Sequence, residues 1–342
     1  MAFHIDINEC IFHFRQPAAT SRGIYTERRS WLLTIRNGEH TGIGECAPLP
    51  QLSCDDIPDY QQVLRRMCND VERTGQIDYE ALRDFPSMLF GLETAIHAMR
   101  GAQFFDTPFC RGEEGIPINA LVWMGTIDEM RQRIEEKLKH RSRCVKLKIG
   151  ACDFDSELEL VKQIRSRFSR HDVELRVDAN GAYKYENDDA LYKMELLSQY
   201  AIHSIEQPIR AGQWSYMSEL CRESPLPIAL DEELIGVNGD EQRRQLLNII
   251  RPAYIVLKPS LHGGMAGTRD WVAAAREKGI GSWITSALES NIGLCAIAQL
   301  CSDVYGSNIT MPQGLGTGQL FTDNIQMPIE LRGDEIWMCN NS

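Results

Sequence analysis

The sequence lacks the segments that mark membrane proteins and secreted disulfide-rich proteins. It contains no run of about 18 apolar residues, so we expect no transmembrane helix. Its 11 cysteines include no C-x-x-C pair and do not cluster, which argues against a disulfide framework and a metal–thiolate site. The start, MAFHIDINEC, has an acidic residue and no apolar run of signal-peptide length. We therefore expect a cytoplasmic protein in a reducing compartment.

A basic tract is also missing, and the net charge is −12. Neither nucleic acid nor a membrane is therefore an expected partner. The hydrophobic content of 43% and the charged content of 25% are typical of a soluble globular protein with a large core. A chain of 342 residues fits one large barrel plus a smaller domain.

The first part of the chain has the pattern of an α+β domain that ends near residue 112. Strand-like runs cover residues 3–14, 30–35 and 41–45, and Asn37-Gly38 is a turn signal between the last two. Residues 17–29 are polar and have no periodic apolar face, so they predict a mobile loop. Helical spacing follows over residues 55–73 and 87–103, and the second helix has a face of small residues suited to close packing.

After Gly115, strand-like runs alternate with helical stretches. The predicted strands are 116–123, 145–149, 174–177, 202–206, 228–230, 254–257 and 281–285, with a final strand near Ile309. Repeated βα units imply parallel strands with right-handed crossovers, and this many units close into a barrel. We predict an α/β fold: a modified TIM barrel, (β/α)7β, over residues 113–319. An α+β capping domain would comprise residues 1–112, completed by the C-terminal tail from about 320 to 342.

Charged residues stand at the ends of five successive predicted strands: Lys148, Asp178, Glu206, Asp231 and Lys258. Subtraction of neighbouring residue numbers gives intervals of 30, 28, 25 and 27, which is about the length of one βα unit. Barrel enzymes place their chemistry at the C-terminal ends of the strands. We therefore expect these five side chains to face one another across the barrel mouth.

Three carboxylates that converge in one place repel strongly unless a cation lies between them. Asp178, Glu206 and Asp231 would supply oxygen ligands without histidine or cysteine. Such a donor set favours a hard ion, with Mg²⁺ first and Mn²⁺ second. The sequence therefore predicts a divalent metal site formed by these three residues.

The predicted strand Val-Lys-Leu-Lys-Ile, residues 145–149, carries two lysines on one face. Taken alone it fits an edge strand with solvated lysines. In the barrel, Lys146 and Lys148 instead point into the mouth. A lysine near Mg²⁺ and a second ammonium has its charged form disfavoured and is then able to remove a proton. We expect Lys148 to be the acid–base group and Lys146 to be its electrostatic neighbour.

On these residues the chain resembles the muconate-lactonizing subgroup of the enolase superfamily. The matching motifs are K-x-K at Lys146/Lys148, D-x-N at Asp178/Asn180, E-Q-P at Glu206, D-E at Asp231/Glu232 and K-P at Lys258. The resemblance covers nearly the whole chain, because the N-terminal part resembles the capping domain of that superfamily. It implies that residues 17–29 close over the substrate.

Three stretches are similar to the o-succinylbenzoate synthase family of that subgroup: GIGECAPLP at 42–50, SALESNIGL at 286–294 and GLGTGQLF at 314–321. The resemblance implies a carbon–oxygen lyase. The reaction would dehydrate 2-succinyl-6-hydroxy-2,4-cyclohexadiene-1-carboxylate to o-succinylbenzoate, a step toward menaquinone. Lys148 would remove the proton α to the ring carboxylate and then protonate the hydroxyl that departs on the same side. Lys258 would stay cationic against the ring.

Further residues are weaker candidates for the site. Asn180 and Glu232 would orient metal ligands and lysines, although both residue types also serve as caps or lie at the surface. Ser286 and Ser290 would bind a distal carboxylate, with helix capping as the alternative. Arg22 and Arg28, in the predicted loop, are further candidates for binding substrate, with solvated surface charge as the alternative. His262 is a possible catalytic histidine.

Other activities of the subgroup remain open at this point. Racemases of N-succinyl amino acids and dipeptide epimerases use the same two lysines, and the motifs also allow a cycloisomerase. Dipeptide epimerases carry a D-x-D near the last strand, whereas residues 311–319 read MPQGLGTGQ and contain no acid. A barrel that binds a ligand without catalysis is disfavoured, because two ammonium groups aimed into a barrel are energetically costly without a function.

Overall fold

The computed structural model describes residues 3–20, 23–139, 142–186 and 189–339. Arg22, one of the predicted substrate contacts, lies outside the described residues. The first elements in chain order are β1 (His4–Thr20), β2 (Gly23–Asn37), β3 (His40–Cys46), α1 (Tyr60–Thr74) and α2 (Pro86–Arg100). The three strands form an antiparallel sheet in the order β1-β2-β3. The two helices bury their apolar faces against this sheet and form a separate hydrophobic core with it.

The prediction of a mobile loop over residues 17–29 is wrong. Strands β1 and β2 continue through most of this stretch as a long hairpin, in which Ala18 pairs with Tyr25. The pairing register shifts between His13 and Ala18, and such an irregularity interrupts the alternation of buried and exposed side chains. The sequence therefore shows no period of two there, although the backbone on both sides of the shift is paired.

Close contact between β3 and α2 depends on small residues, as the sequence predicted. A Cβ atom added to Gly44 would overlap the carbonyl oxygen of Gly91, and one added to Gly42 would overlap that of Ala95. The strand backbone thus lies directly against the helix backbone. Any side chain at Gly44 would force the helix away from the sheet.

We predict that Gly44→Ala lowers the free energy of unfolding by roughly 3 kcal/mol, because the new methyl group meets backbone atoms that have no alternative position. Urea unfolding followed by circular dichroism measures this loss. The control is Gly239→Ser, whose Cβ meets only the flexible end of Gln242, at 3.1 Å. A Gly44→Ala protein as stable as this control would contradict the close-packing account.

The remaining elements form the barrel and the C-terminal tail. They are β4 (Ile116–Pro117), β5 (Ala120–Val122), α3 (Ile127–Lys139), β6 (Cys144–Lys148), α4 (Phe154–Arg167), β7 (Glu174–Asp178), α5 (Asp189–Ser198), β8 (Ser204–Glu206), α6 (Trp214–Glu223), β9 (Ile228–Leu230), α7 (Asp240–Ile250), β10 (Tyr254–Leu257), α8 (Gly264–Arg276), β11 (Gly281–Ile284), α9 (Asn291–Tyr305), β12 (Ile329–Arg332) and β13 (Glu335–Met338). Strands β5 to β11 lie side by side in chain order and parallel to one another, each followed by a helix. The predicted seven βα units are therefore confirmed.

The eighth strand position consists of two residues. Gln313 pairs with Ile118 and Gly314 pairs with Thr285, so this short segment joins the first and last strands of the curled sheet. We predicted the final strand near Ile309, which is four residues too early by the residue numbers. The apolar residues of that stretch gave the prediction, whereas the pairing uses a glycine and a glutamine whose side-chain oxygen accepts a hydrogen bond from the Ile284 amide, at 2.7 Å.

The tail contacts both parts of the chain. Strands β12 and β13 form a small antiparallel sheet with β4, while Phe321 pairs with Phe14 of the N-terminal hairpin. The domain boundaries near residues 112 and 320 stay a prediction. Throughout the described ranges, no helix has the length and apolar character needed to cross a membrane.

Two carboxylates from the N-terminal elements cap barrel helices. Glu93 of α2 accepts hydrogen bonds from the amides of Met265 and Ala266, at 2.5 and 3.1 Å, in the first turn of α8. Glu45 of β3 accepts from the amides of Ser290 and Gly293, both at 3.0 Å, at the start of α9. A carboxylate at a helix N-terminus satisfies amides that have no partner within the helix. These contacts fix the N-terminal elements on the barrel.

The Glu93 cap makes stability depend on pH. Burial raises the pKa of Glu93 to about 7, so the folded protein binds this proton more tightly than the unfolded chain, in which the usual value of 4.5 applies. A raised carboxyl pKa gives stability that is present below the unfolded value and is lost as pH rises through the folded value.

We predict that wild-type protein loses roughly 2 kcal/mol more unfolding free energy between pH 5 and pH 8 than Glu93→Gln does. Urea unfolding at both pH values measures the difference. Comparison of the two proteins removes the contribution of other titrating groups, which they share. Equal losses in the two proteins would show that Glu93 has an ordinary pKa.

Candidate active site

The strand register aligns the charged residues that the sequence singled out. Lys148 of β6 pairs with Asp178 of β7, and Asp178 in turn pairs with Glu206 of β8. Asp231 and Lys258 directly follow β9 and β10, so all five lie at the C-terminal ends of parallel strands. Because the register is continuous, these side chains open into one space at the barrel mouth.

This space is a cavity with a charged side and an apolar side. Its charged and amide lining comes from the strand ends: Lys146, Lys148, Asp178, Asn180, Glu206, Asp231, Glu232 and Lys258. Apolar side chains from β5, from several loops and from the N-terminal part of the chain also line it: Leu49, Leu52, Leu121, Trp123, Ala287 and Leu288. The cavity thus combines acid–base groups with a surface suited to an apolar ring.

The lysines of β6 point into this cavity, as predicted. Lys146 and Lys148 are each only 8% exposed. The Nζ of Lys146 lies 2.8 Å from both carboxylate oxygens of Glu206 and 3.3 Å from Asp178 Oδ2. The Nζ of Lys148 donates to Asn180 Oδ1 at 2.8 Å and to Asp178 Oδ2 at 3.1 Å. The alternative of an edge strand with solvated lysines is therefore wrong.

Lys258 lies against the last of the three predicted metal ligands. Its Nζ is 2.6 Å from Asp231 Oδ1 and also contacts Asp231 Oδ2. Burial lowers the pKa of Lys258, but the nearby carboxylates, Asp231 first, outweigh burial and raise it. Lys146 follows the same pattern, since Glu206 and Asp178 overcome its burial and raise its pKa.

The carboxylates in contact thus favour the ammonium form of Lys146 and of Lys258, and the cationic role expected of Lys258 stays a prediction. The carboxylates respond in opposite directions. Burial alone would raise the pKa of Asp178 and Asp231, yet the lysines lower both. Burial, together with repulsion from Asp178, raises the pKa of Glu206 to about 8.

Four buried acids face three lysines in this cavity, so the acidic groups outnumber the basic groups by one. Besides Asp178, Glu206 and Asp231, the fourth acid is Glu232, whose pKa rises to about 7 because of burial and the neighbouring Asp231. Its Oε2 atom is buried without a hydrogen-bond partner. The acids of the cavity therefore have capacity for a further positive charge.

The donor set fits a divalent cation. Lysine ammonium groups lie against the carboxylates here, and no three acidic, imidazole or thiol groups of the described residues converge closely enough to define a metal cluster. The three candidate ligands are nevertheless buried, oxygen-only and placed at the ends of adjacent strands β7, β8 and β9. Several acidic groups with hard oxygen donors are what a divalent ion requires. Asp178, Glu206 and Asp231 stay our predicted ligands.

Asn180 and Glu232 lie where an orienting role requires. The Nδ2 of Asn180 donates to Glu232 Oε1 at 3.1 Å, while its Oδ1 accepts from Lys148. Asn180 therefore fixes the direction of the Lys148 ammonium.

The two serines predicted to bind substrate lie in different environments. Ser286 lines the cavity, and its hydroxyl lies 2.7 Å from that of Thr317. Ser290 is fully buried away from the cavity lining; it caps α9 by accepting from the Ile292 amide at 3.2 Å, and it donates to Glu45. The prediction that Ser290 binds substrate is therefore wrong, because its hydroxyl caps α9 and donates to Glu45.

Arg28 and His262 also differ from expectation. Arg28 is not a solvated loop charge: it lies in β2 and is 1% exposed. His262 does not line the cavity; its Nδ1 accepts from the Lys258 amide at 2.9 Å. Burial lowers the pKa of His262 to about 3, which keeps the ring neutral. It holds the backbone that carries Lys258, and no catalytic role follows from this position.

Sequence reasoning missed the part of the cavity wall that strand β5 and its flanking residues form. Asn119, Leu121 and Trp123 alternate along β5 and its end, and all three line the cavity. The Nζ of Lys148 lies 5.7 Å from the centre of the Trp123 ring. Period-two alternation in this strand was an available signal. No signal in the sequence indicated that Leu49, from the N-terminal part of the chain, would line the cavity.

Comparison with known proteins assigns the class first. A family model described as enolase C-terminal domain-like matches residues 129–328, and one described as the MenC N-terminal domain matches residues 18–99. The solved structure of muconate lactonizing enzyme from Pseudomonas fluorescens superposes with a TM-score of 0.80 at 22% identity, covering 98% of this chain and 94% of that one. The fold is thus that of an enolase-type barrel enzyme.

Nearer relatives give the particular family. The o-succinylbenzoate synthase of Desulfotalea psychrophila is 43% identical, over 94% of this chain and 95% of that protein. The crystal structure of MenC from the same organism superposes with a TM-score of 0.83 at 39% identity, covering 99% of this chain and 100% of that one. The chain belongs to the o-succinylbenzoate synthase family of the enolase superfamily. Membership implies an enzyme with a small-molecule substrate and a divalent metal.

Proposed function

We propose that this enzyme dehydrates 2-succinyl-6-hydroxy-2,4-cyclohexadiene-1-carboxylate to o-succinylbenzoate, in menaquinone biosynthesis. The observation that carries the proposal is the 43% identity to an o-succinylbenzoate synthase along nearly the whole chain. Two lysines on the walls of one cavity, Lys148 and Lys258, support it. The apolar side of the cavity suits the carbon ring of this substrate.

Lys148 is the acid–base group of the proposed reaction. It removes the proton α to the ring carboxylate, and it then gives a proton to the hydroxyl, which leaves as water from the same face. One carbon–hydrogen and one carbon–oxygen bond break, and the ring becomes aromatic. The contacts of Lys148 support this role, because one of its two partners is the neutral amide of Asn180. The ammonium is thus held in place with less pairing to carboxylate than that of Lys146 or Lys258.

Lys258 remains an ammonium ion in this proposal. The carboxylates that raise its pKa keep it charged at neutral pH. A fixed cation beside the ring stabilises the negative charge that develops when the α-proton leaves. Lys146 holds Glu206 and Asp178 in position and stays charged for the same reason.

We propose Mg²⁺ as the divalent ion, with Mn²⁺ as a substitute, held by Asp178, Glu206 and Asp231. When bound, the ion supplies positive charge beside the substrate carboxylate. Glu232 and Asn180 orient the groups around it. A cytoplasmic location is part of the proposal, supported by 11 cysteines that are all free thiols.

We predict that Lys148→Ala lowers kcat by about 10³-fold or more, because general acid–base catalysis contributes on this scale. Loss of the diene absorbance of the substrate measures turnover. Lys162→Ala, at an exposed lysine of α4, is the control and should retain wild-type activity. Circular dichroism of both variants checks the fold.

Two outcomes would contradict the assignment. An unchanged rate in Lys148→Ala would show that another group moves the proton. A wild-type protein that leaves the cyclohexadiene intact, yet exchanges deuterium from solvent into both enantiomers of an N-succinyl amino acid, would be a racemase.

We predict that chelation abolishes turnover and that Mg²⁺ or Mn²⁺ restores it. The metal should also raise the melting temperature of the wild-type protein, because a ligand that binds only the folded state stabilises it. Asp231→Asn, which removes one charge at nearly constant shape, should show a much smaller rise. Full activity in chelated protein, with no metal detected by elemental analysis, would contradict the proposed cofactor.

A further inference from the structure

Arg28 is a fully buried arginine whose guanidinium binds backbone carbonyl groups of two separate chain segments. Its Nη1 and Nη2 donate to the carbonyl oxygens of Pro48 and Ala47, the latter at 2.5 Å. Its Nε donates to the carbonyl of Leu288 at 3.3 Å, and Nη2 also reaches that of Ala287 at 3.5 Å. One side chain of β2 therefore joins the segment after β3 to the segment after β11.

These two segments form part of the cavity wall. Leu49, next to Pro48, lines the cavity, and so do Ala287 and Leu288. Arg28 itself is absent from the lining, so it acts from behind the wall. The backbone of Leu288 has φ 64°, a left-handed conformation that is unfavourable for a branched side chain. Such a conformation persists when surrounding contacts hold it.

Buried carboxylates accompany the buried guanidinium. Both Glu45 and Glu289 interact favourably with the charge of Arg28. Glu289 also accepts a hydrogen bond from the Ala287 amide at 2.7 Å, and Ser260, two residues after Lys258, donates to Glu289 at 2.5 Å. The wall segment at 287–288 is therefore held through its carbonyls by Arg28 and through an amide by Glu289.

We propose that Arg28 is a positioning residue that sets the width of the substrate cavity by fixing Leu49, Ala287 and Leu288 from outside. It acts only through backbone carbonyls and does not touch the substrate. The identity of the substrate rests on the proposed function, whereas the position of the wall does not. Arginine suits this role because its planar fork presents five donors, whereas lysine presents one compact ammonium group.

The kinetic test uses Arg28→Lys and Arg28→Met. Arg28→Lys keeps a charge opposite Glu45 and Glu289, so it should fold, but one ammonium cannot bind both segments. We expect its KM to rise by about tenfold, with kcat within about threefold of wild type, because the wall binds substrate without taking part in proton transfer. Arg28→Met should show at least the same rise in KM together with a lower melting temperature.

The matched control is Arg243→Met. Arg243 is another buried arginine, and its contacts are the carbonyl of Asn238 and the carboxylate of Asp270, away from the cavity. The Arg243→Met substitution should lower the melting temperature of the protein while leaving KM within about twofold of wild type. A KM for both Arg28 variants no higher than that of the control would overturn the proposal.

Hydrogen exchange tests the wall without reference to the substrate. In Arg28→Lys, amides of residues 46–53 and 286–290 should exchange faster than in wild type, while those of α7 and α8 should not change. Unchanged exchange in both wall segments would overturn the proposal. If the wild-type enzyme does not convert the cyclohexadiene, the proposed function fails, and this measurement still decides the role of Arg28.

Discussion

The structure depends on the balance of buried charges in the barrel mouth. Asp178, Glu206 and Asp231 are almost completely excluded from water, and Lys146 and Lys148, which contact them, are buried as well. Moving a single charge from water into such a site costs several kcal/mol, so none of these groups is stable there without its partners. Strand register brings the opposite charges together, because Lys148, Asp178 and Glu206 occupy paired positions on three adjacent strands. The same balance leaves one acid in excess, which is why the site suits an added cation.

This charged cavity is complete only when the N-terminal elements cover the barrel. Their residues supply part of the apolar wall, through Leu49 and Leu52, and they also anchor the barrel helices. Glu45 and Glu93 reach across to the N-termini of α9 and α8, where amides have no partner within the helix. The buried Arg28 adds a third connection between the same parts. Interactions that join the two parts of the chain therefore also determine the shape of the site.

Much of the fold and of the charged site followed from the sequence, because parallel strands bring residues at unit spacing to the same edge. Lys148 and Asp178 could be placed on that basis alone. Contacts between distant segments could not. Residues 18–20 pair with residues 23–25 through backbone hydrogen bonds, which leave no side-chain pattern across a register shift. Arg28 also binds the Leu288 carbonyl and Ser290 binds the Glu45 carboxylate, 260 and 245 residues away, and no local spacing indicates these contacts.

Electrostatics in this site are a property of the whole group of charges. Burial lowers the pKa of Lys146 and of Lys258, but the carboxylates in contact with each ammonium outweigh burial and raise both values. Lys146 contacts both oxygens of Glu206, and Lys258 contacts both of Asp231. Lys148 instead shares Asp178 with Lys146 and takes its nearest contact from a neutral amide. The three lysines of one cavity are thereby distinguished by their partners, and this difference supports the proposal that Lys148, not Lys146 or Lys258, exchanges the proton.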